Sequence, residues 1–297
     1  MESINTGLRT ARPESAIEPA RIRKFRLELV KSIPRFPNDE KALLHMQQKH
    51  ISSVLLDYVH WQARYVGTRP RRVEIEPVAK ANPHWSAMAV AIEAFLEKVR
   101  RGVDLTPHLS LAPHTRGYAL AAHSPGATID DRWSDKDLLL TRMGYHHFHL
   151  GVNIEAAGYA ERTNDLVFAE VSRDRFKVIA TFNHAVFNQD SVERSRLIKL
   201  HNWIIFRGLP PGAGVLNAPV MSSGHSMHVY VYAARCTRLI EFVDPQLDDR
   251  VYVEGLYAQA KIQAPLKPKL EWKFNHLDLT IYDRGNMKAF CVQQAWN

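Results

Sequence analysis

The chain has 297 residues, with a hydrophobic fraction of 45%, a charged fraction of 24% and a formal net charge of +8. These proportions are ordinary for a globular protein, and no apolar run approaches the ~20 residues that a helix needs to cross a bilayer. The two cysteines, Cys236 and Cys291, have no close Cys neighbours, which excludes a CxxC zinc site and argues against a disulfide framework.

The first third of the chain predicts mainly α-helix. Apolar residues recur at helical spacing, as Ile22, Phe25 and Leu29 do, and Asn82-Pro83 is a typical helix start. The predicted elements are helices over 14–33, 38–65 and 82–101 and a strand over 71–76. Residues 1–19 lack the apolar segment of a secretory signal, so we expect a cytoplasmic protein.

The positive charge is concentrated in this same third. Residues 1–100 carry 17 Lys and Arg against 11 Asp and Glu, with local clusters at 21–26 and 69–72. Such clusters suit a phosphate-rich or acidic partner, and Arg71 and Arg72 are therefore candidate substrate-binding residues. A solvated helix face and a basic loop would explain the clusters equally well.

The rest of the chain alternates between strand and helix patterns. A loop-like stretch, 104–131, leads to a short helix over 135–143 that Ser134 would cap. The remaining predicted elements are strands over 145–152, 166–172 and 176–182, helices over 191–206, 223–243 and 249–262, and a hairpin of strands 270–282 and 287–293.

These elements predict an α+β fold with a helical N-terminal third, a central antiparallel sheet packed on helices, and C-terminal helices followed by a β-hairpin. By composition the chain divides into a basic helical region, 1–104, a central sheet region, 105–190, and a C-terminal extension, 191–297, that packs with the centre.

Three histidines fall within four residues of the stretch 143–151. Because alternate residues of a strand share a face, His147 and His149 lie on one face, and His146 and Phe148 lie on the other. The apolar content of the second face marks it as the core face, so we expect His146 to form a hydrogen bond inside the core.

General acid–base catalysis at a phosphate is one chemistry for this group. His147 and His149 could take a proton from a ribose 2′-OH and protonate the leaving 5′-oxygen. His184, at the end of the next hairpin, approaches them if the strands are neighbours, and Arg162 or Arg142 could stabilise the charge on phosphorus. This chemistry needs no metal ion and no other cofactor.

Metal binding is the second chemistry, and a plain surface role for His147 and His149 is the third interpretation. A His-x-His pair on a strand with one distant His or carboxylate can hold a metal ion. The carboxylates of Glu155 and Glu170 are available for this, although neither has a diagnostic spacing.

A second histidine cluster lies in the stretch 222–228. If this stretch opens a helix, His225 and His228 share a face, and the free N–H groups of the helix start could bind an anion. The cluster could then form a second wall of the same site. A Gly-Ser loop with exposed histidines is the alternative interpretation.

Residues 135–190 also resemble the RelE-like endoribonucleases of bacterial toxin–antitoxin systems. The matching elements are the strand Gly144-Tyr145-His146-His147-Phe148-His149-Leu150-Gly151, then Arg162 with the strand 166–171, then the strand 176–184 that ends in His184. The resemblance implies an endoribonuclease with an antitoxin partner. It also implies that Arg162 and His184 lie in the active cleft, with His147 and His149 in place of basic residues of the first strand.

Together these observations favour a metal-independent endoribonuclease, toxin-like or defence-related, that binds RNA. His147, His149, His184 and Arg162 would be catalytic. The predicted substrate-binding residues are Tyr145, Arg142, Arg71, Arg72, His225 and His228. A non-catalytic nucleic-acid-binding accessory protein and a metal-dependent hydrolase that uses the histidines remain alternatives.

Overall fold

The computed structural model describes residues 18–214 and 220–297, whose helices and strands confirm the predicted α+β class. The helices are α1 Ala20–Ser32, α2 Glu40–Gln47, α3 Ile51–Gln62, α4 Pro77–Lys80, α5 Pro83–Ala87, α6 Ala89–Arg101, α7 Ala112–Thr115, α8 Ile129–Trp133, α9 Leu138–Met143, α10 Val192–Phe206, α11 Met227–Val243 and α12 Arg250–Gln259. The strands are β1 Arg35–Phe36, β2 Arg72–Ile75, β3 Tyr118–Ala119, β4 Tyr145–His149, β5 Asp165–Val171, β6 Arg175–Asn183, β7 Leu270–Asn275, β8 Asp278–Asp283 and β9 Lys288–Gln293. In these two ranges no helix combines the length and the apolar character that crossing a bilayer requires.

The long helix predicted over 38–65 is two helices, α2 and α3. The carboxylate of Asp39 accepts the backbone N–H of Ala42 and caps α2, while His50 caps α3. A signal for the break is present in the sequence. The step from Met46 to Ile51 is five residues, which is longer than a helical repeat of three or four.

The central sheet has the strand order β2–β6–β5–β4, with β2 parallel to β6 and the other pairs antiparallel. The strand from the N-terminal third therefore forms one edge of the sheet, and the histidine strand β4 forms the other. One face packs on α6 through the rings of Phe95, Phe148 and Phe176, whose centroids lie 5.2 to 5.9 Å apart. The opposite face packs on α10 through Leu197 and Leu200.

A separate core joins the two ends of the described chain. Helices α1, α3, α11 and α12 pack around the three-stranded sheet β7–β8–β9. This core draws on both the segment 1–104 and the segment 191–297. The predicted single strand over 270–282 is wrong in extent, because the chain turns at His276, whose φ is +53°, and splits it into β7 and β8.

Replacing Phe95 with alanine should lower the free energy of unfolding by about 3–5 kcal/mol, because it removes the ring that meets Phe148 and Phe176 in the core under the central sheet. Urea unfolding followed by circular dichroism measures the change. Val90 lies in the same helix and is 87% exposed, so Val90→Ala is the matched control and should change stability by less than about 0.5 kcal/mol. Equal effects of the two variants would contradict this account of the core.

Candidate active site

The four residues predicted as catalytic lie together, and we call them the central histidine cluster: His147, His149, His184 and Arg162. Antiparallel pairing of β4 with β5, and of β5 with β6, brings the end of β6 beside β4. The rings of His149 and His184 have centroids 5.3 Å apart. The ring of Phe187 lies 5.0 Å from that of His147 and 5.6 Å from that of His184, so it covers part of the cluster.

Burial of this cluster is greater than the strand pattern predicts. The sequence marks only the face of His146 and Phe148 as the core face, yet His147 is 9% exposed and His149 is 4% exposed. The reason is that α10 and the 3-10 helix His184–Phe187 cover the second face of the sheet. A plain surface role for His147 and His149 is therefore wrong, and only His184 of the three histidines is exposed.

Asp137 is the carboxylate nearest to His147. Its Oδ2 lies 3.6 Å from His147 Nδ1, and its Oδ1 accepts the backbone N–H of Leu140, which caps α9. Burial lowers the pKa of His147, and the negative charge of Asp137 opposes that effect. The predicted cap, Ser134, is wrong, because Asp137 occupies that position.

His149 is held neutral by its surroundings. Burial lowers its pKa to about 4, and the positive charge of Arg162 acts in the same direction. Arg162 Nη1 donates to the carbonyl oxygen of Leu109 at 2.8 Å, and its guanidinium lies 5.8 Å from the ring centre of Tyr159. At neutral pH His149 is thus a proton acceptor.

Three nitrogens of the cluster are shielded from solvent and have no hydrogen-bond partner within 18–214 and 220–297. They are Nδ1 of His147, Nδ1 of His149 and Nη2 of Arg162. Buried polar atoms nearly always have a partner, so a group of unpaired ones indicates a place for a water molecule, an ion or a ligand. The same holds for other buried nitrogens of the described residues, such as Nδ1 of His146 and Nε2 of His201, so the feature specific to the cluster is that two imidazoles and a guanidinium with unpaired nitrogens lie close together.

His146 behaves as predicted. Its Nε2 donates to the carbonyl oxygen of Ala63 at 3.0 Å, and it is 5% exposed. Burial lowers its pKa to about 4.

Two of the predicted substrate-binding residues take other positions. The hydroxyl of Tyr145 is hydrogen-bonded to His201 Nδ1 at 2.9 Å inside the core, with the residue 4% exposed, so it is not available to a substrate. Arg142 is exposed, and its guanidinium lies 5.3 Å from the ring centre of Trp133.

The predicted second wall does not form as expected. Helix α11 begins at Met227, so His225 lies before it and does not share a helical face with His228. His225 is 3% exposed and its ring meets that of His60 edge to face at 4.9 Å. His228 packs against Trp296 instead, at 4.2 Å between ring centroids.

Arg71 and Arg72, from the basic cluster at 69–72, have partners within the fold. Arg71 is 5% exposed and donates to the carbonyl oxygens of Ser172 and Gly67, each at 2.8 Å. The exposed Arg72 pairs with Glu74 at 2.6 Å. Nη2 of Arg71 is shielded and has no partner in the described residues, and the side chain of Arg72 is 75% exposed, so the assignment of both as substrate-binding residues stays a prediction.

Three of the four basic residues at 21–26 are also paired. Arg21 lies 3.1 Å from Asp244, Lys24 pairs with Glu271, and Arg26 pairs with Glu18, while Arg23 is exposed. Part of the positive charge of this cluster is therefore matched by carboxylates, two of them from the C-terminal part of the chain.

Sequence reasoning missed a buried polar network beside the cluster. The side chain of Lys136 is 1% exposed and donates to Asp135 Oδ1 at 2.6 Å, while His123 Nε2 lies 3.6 Å from Asp135 Oδ2. His60 is near this pair, and burial lowers its pKa to about 3. The polar run 134–137 reads as a helix start, which hid the structural use of its charges.

The histidines do not form a metal-binding arrangement as they stand. Among the residues that the structure describes, no three His, Cys, Asp or Glu side chains are placed to hold a metal ion. Among these residues, His147 and His149 therefore lack the third ligand that the metal interpretation needs.

Comparisons of the chain with protein-family models, with curated proteins and with solved structures found no match. The RelE-like resemblance of residues 135–190 therefore stays a prediction from the sequence, and a function has to be inferred from the site itself.

The buried histidines should make stability pH-dependent. His146 and His149 have folded-state pKa values near 4, below the ordinary value of about 6.5. Between these values the unfolded chain binds more protons, so the free energy of unfolding should fall as the pH is lowered from about 6.5 to about 4. His146→Gln keeps a donor for the Ala63 carbonyl and removes one titrating group, so it should make this fall less steep. Urea titrations across that pH range measure the slope, and an unchanged slope would contradict the assignment.

Proposed function

We propose that the central histidine cluster is the active site of a metal-independent endoribonuclease. The observation that carries the proposal is the convergence of His147, His149, His184 and Arg162 around nitrogens that have no partner in the described residues. Imidazoles and a guanidinium are the groups that phosphodiester cleavage requires when no metal ion takes part. A toxin-like or defence-related role, and an antitoxin partner, rest on the RelE-like resemblance alone.

The two buried histidines differ in a way that assigns their roles. His149, with a pKa near 4 and Arg162 beside it, is the base that removes the proton from the ribose 2′-OH. The 2′-oxygen attacks phosphorus, a cyclic phosphate forms, and the bond from phosphorus to the 5′-oxygen breaks. His147, whose protonation Asp137 favours, is the acid that gives a proton to that oxygen.

Binding of the substrate phosphate helps to protonate His147, the general acid. A negative group beside a buried imidazole raises its pKa, so substrate binding offsets part of the effect of burial on His147. Arg162 Nη2 is available to a phosphate oxygen, and its donation would stabilise the charge that develops in the transition state. His184, the exposed histidine of the cluster, is placed to position the phosphate as it enters.

Entry has to occur on the side of the 3-10 helix His184–Phe187. His184 is exposed, and Phe187 is 43% exposed while its ring lies over His147. A short 3-10 helix has strained hydrogen-bond geometry and moves more easily than a strand of the sheet. Displacement of Phe187 would open the ring of His147 to the substrate.

The alternatives have less support. The metal-dependent hydrolase lacks a three-ligand arrangement in the part of the chain that the structure describes. The accessory nucleic-acid-binding protein depends on the basic clusters, most of whose side chains are paired within the fold.

The purified protein should cleave labelled total RNA in the presence of EDTA and leave 2′,3′-cyclic phosphate ends. His147→Ala and His149→Ala should each lower the rate by ~10²-fold or more, because each removes a proton-transfer group. Denaturing gels give the rate, and treatment with a cyclic-phosphate-specific phosphatase identifies the ends.

His146→Gln is the matched control for these variants, since His146 lies on the same strand with its ring on the opposite face. It should keep cleavage close to that of the unchanged protein, provided that circular dichroism shows it folded. Loss of cleavage in EDTA would support the metal-dependent interpretation, and binding without cleavage would support the accessory one. Full activity in both alanine variants would reject the acid–base pair.

Asp137→Asn tests the carboxylate as a positioning residue. Asparagine caps helices as well as aspartate does, so α9 should be retained. Without the negative charge the pKa of His147 should fall further, which makes the acid harder to protonate. We therefore expect a lower kcat, and the basic limb of its pH profile should move to lower pH with little change in KM. A profile of unchanged shape would show that Asp137 acts only as a helix cap.

A further inference from the structure

A cavity of about 550 Å³ lies between the C-terminal end of α3, the loop 66–69, residues 104–106 and the turn between β7 and β8. This volume is within the range of roughly 300–1,000 Å³ that small-molecule sites occupy. The residues of interest in its lining are Trp61, Gln62, Tyr65, Arg69, Asn275 and His276. None of them belongs to the central histidine cluster.

The ring of His276 lies in the lining of this cavity and carries a shielded donor that has no partner in the described residues. The amide nitrogen of Gln62 donates to His276 Nδ1 at 2.9 Å, and burial, with Arg69 next, lowers the pKa of His276 to about 4. The ring is therefore neutral and carries its proton on Nε2. That Nε2–H is shielded from solvent and has no acceptor among the residues of the two described ranges.

The turn between β7 and β8 fixes the position of His276. Its φ of +53° is in the left-handed region, which histidine, like asparagine and aspartate, adopts more often than most residues. The imidazole ring of His276 packs closely against Gly67. A Cβ at Gly67 would lie 3.0 Å from His276 Cδ2, so a larger residue there would have to displace the ring.

Arg69 brings a positive charge that the fold compensates only weakly. Its nearest carboxylate, Asp278, is 4.0 Å away and already accepts two hydrogen bonds from Arg173, at 2.8 and 3.0 Å. Asp104, also in the lining, is exposed and accepts the backbone N–H of Thr106. The lining thus holds a weakly compensated positive charge, at Arg69, and an exposed carboxylate, at Asp104.

We infer that this cavity binds a nucleoside monophosphate. Arg69 and the Nε2–H of His276 would hold the phosphate, because both are donors and one is charged. The rings of Trp61 and Tyr65 and the amide of Asn275 supply the aromatic and polar surface that a base requires. A bare phosphate would leave most of the volume empty. The inference does not depend on RNA cleavage, since binding alone is claimed.

Isothermal titration calorimetry with the four nucleoside 5′-monophosphates tests it on the full chain. At least one should bind, and it should bind more tightly than its nucleoside or inorganic phosphate does. Arg69→Gln should weaken that binding by about tenfold or more, the loss expected for a charge-assisted hydrogen bond. His276→Asn should also weaken it, because asparagine tolerates the positive φ but lacks the Nε2–H donor.

Arg238→Gln is the matched control, since Arg238 is exposed, lies in α11 and is outside the cavity lining. Its affinity should stay within about twofold of the unchanged protein. Three results would overturn the inference: no heat of binding with any of the four nucleotides, equal affinity for inorganic phosphate, or unchanged affinity in a folded Arg69→Gln protein.

Discussion

Strand β4 is at the edge of the central sheet, yet both of its faces are buried, and three of its five residues are histidines. A buried imidazole must be neutral or paired, because taking its charged form out of water is costly. The fold pairs His146 with the carbonyl oxygen of Ala63 and leaves Nδ1 of His147 and His149 without partners in the described residues. Nδ1 of His146 has no partner in the described residues either, so the three histidines differ in the face of the strand on which each ring lies and in the bond from His146 Nε2 to Ala63.

The cavity beside α3 is linked to the central histidine cluster through aromatic side chains. Tyr65 lines the cavity, and its hydroxyl lies 3.3 Å from His114 Nδ1. The ring of His114 is 5.0 Å from that of Tyr159, over which the guanidinium of Arg162 lies. Packed side chains therefore connect the cavity to the loop that holds Arg162.

Patterns in the local sequence predict those structural features that depend only on residues close together in the chain. Alternation separates His146 from His147 and His149, and the tight turn before β6 places His184 near them. Partners far apart in sequence leave no such pattern. Arg21 pairs with Asp244, which is 223 residues away, so a cluster that reads as a free basic surface is a set of structural ion pairs. The cover of the His147 face by α10, and the left-handed turn at His276, likewise depend on tertiary packing that periodicity does not record.

Burial also explains how two histidines on one strand can differ without a metal ion. Loss of solvent lowers the pKa of both, and that effect alone would leave two similar bases. The neighbours then act on them differently. Asp137 raises the pKa of His147 against the effect of burial, whereas the charge of Arg162, which lowers the pKa of both, is the largest charge effect on His149. Both neighbours are fixed by other contacts, Asp137 as the cap of α9 and Arg162 by the carbonyl of Leu109. The asymmetry between the two imidazoles is therefore a property of the fold and is present before any substrate arrives.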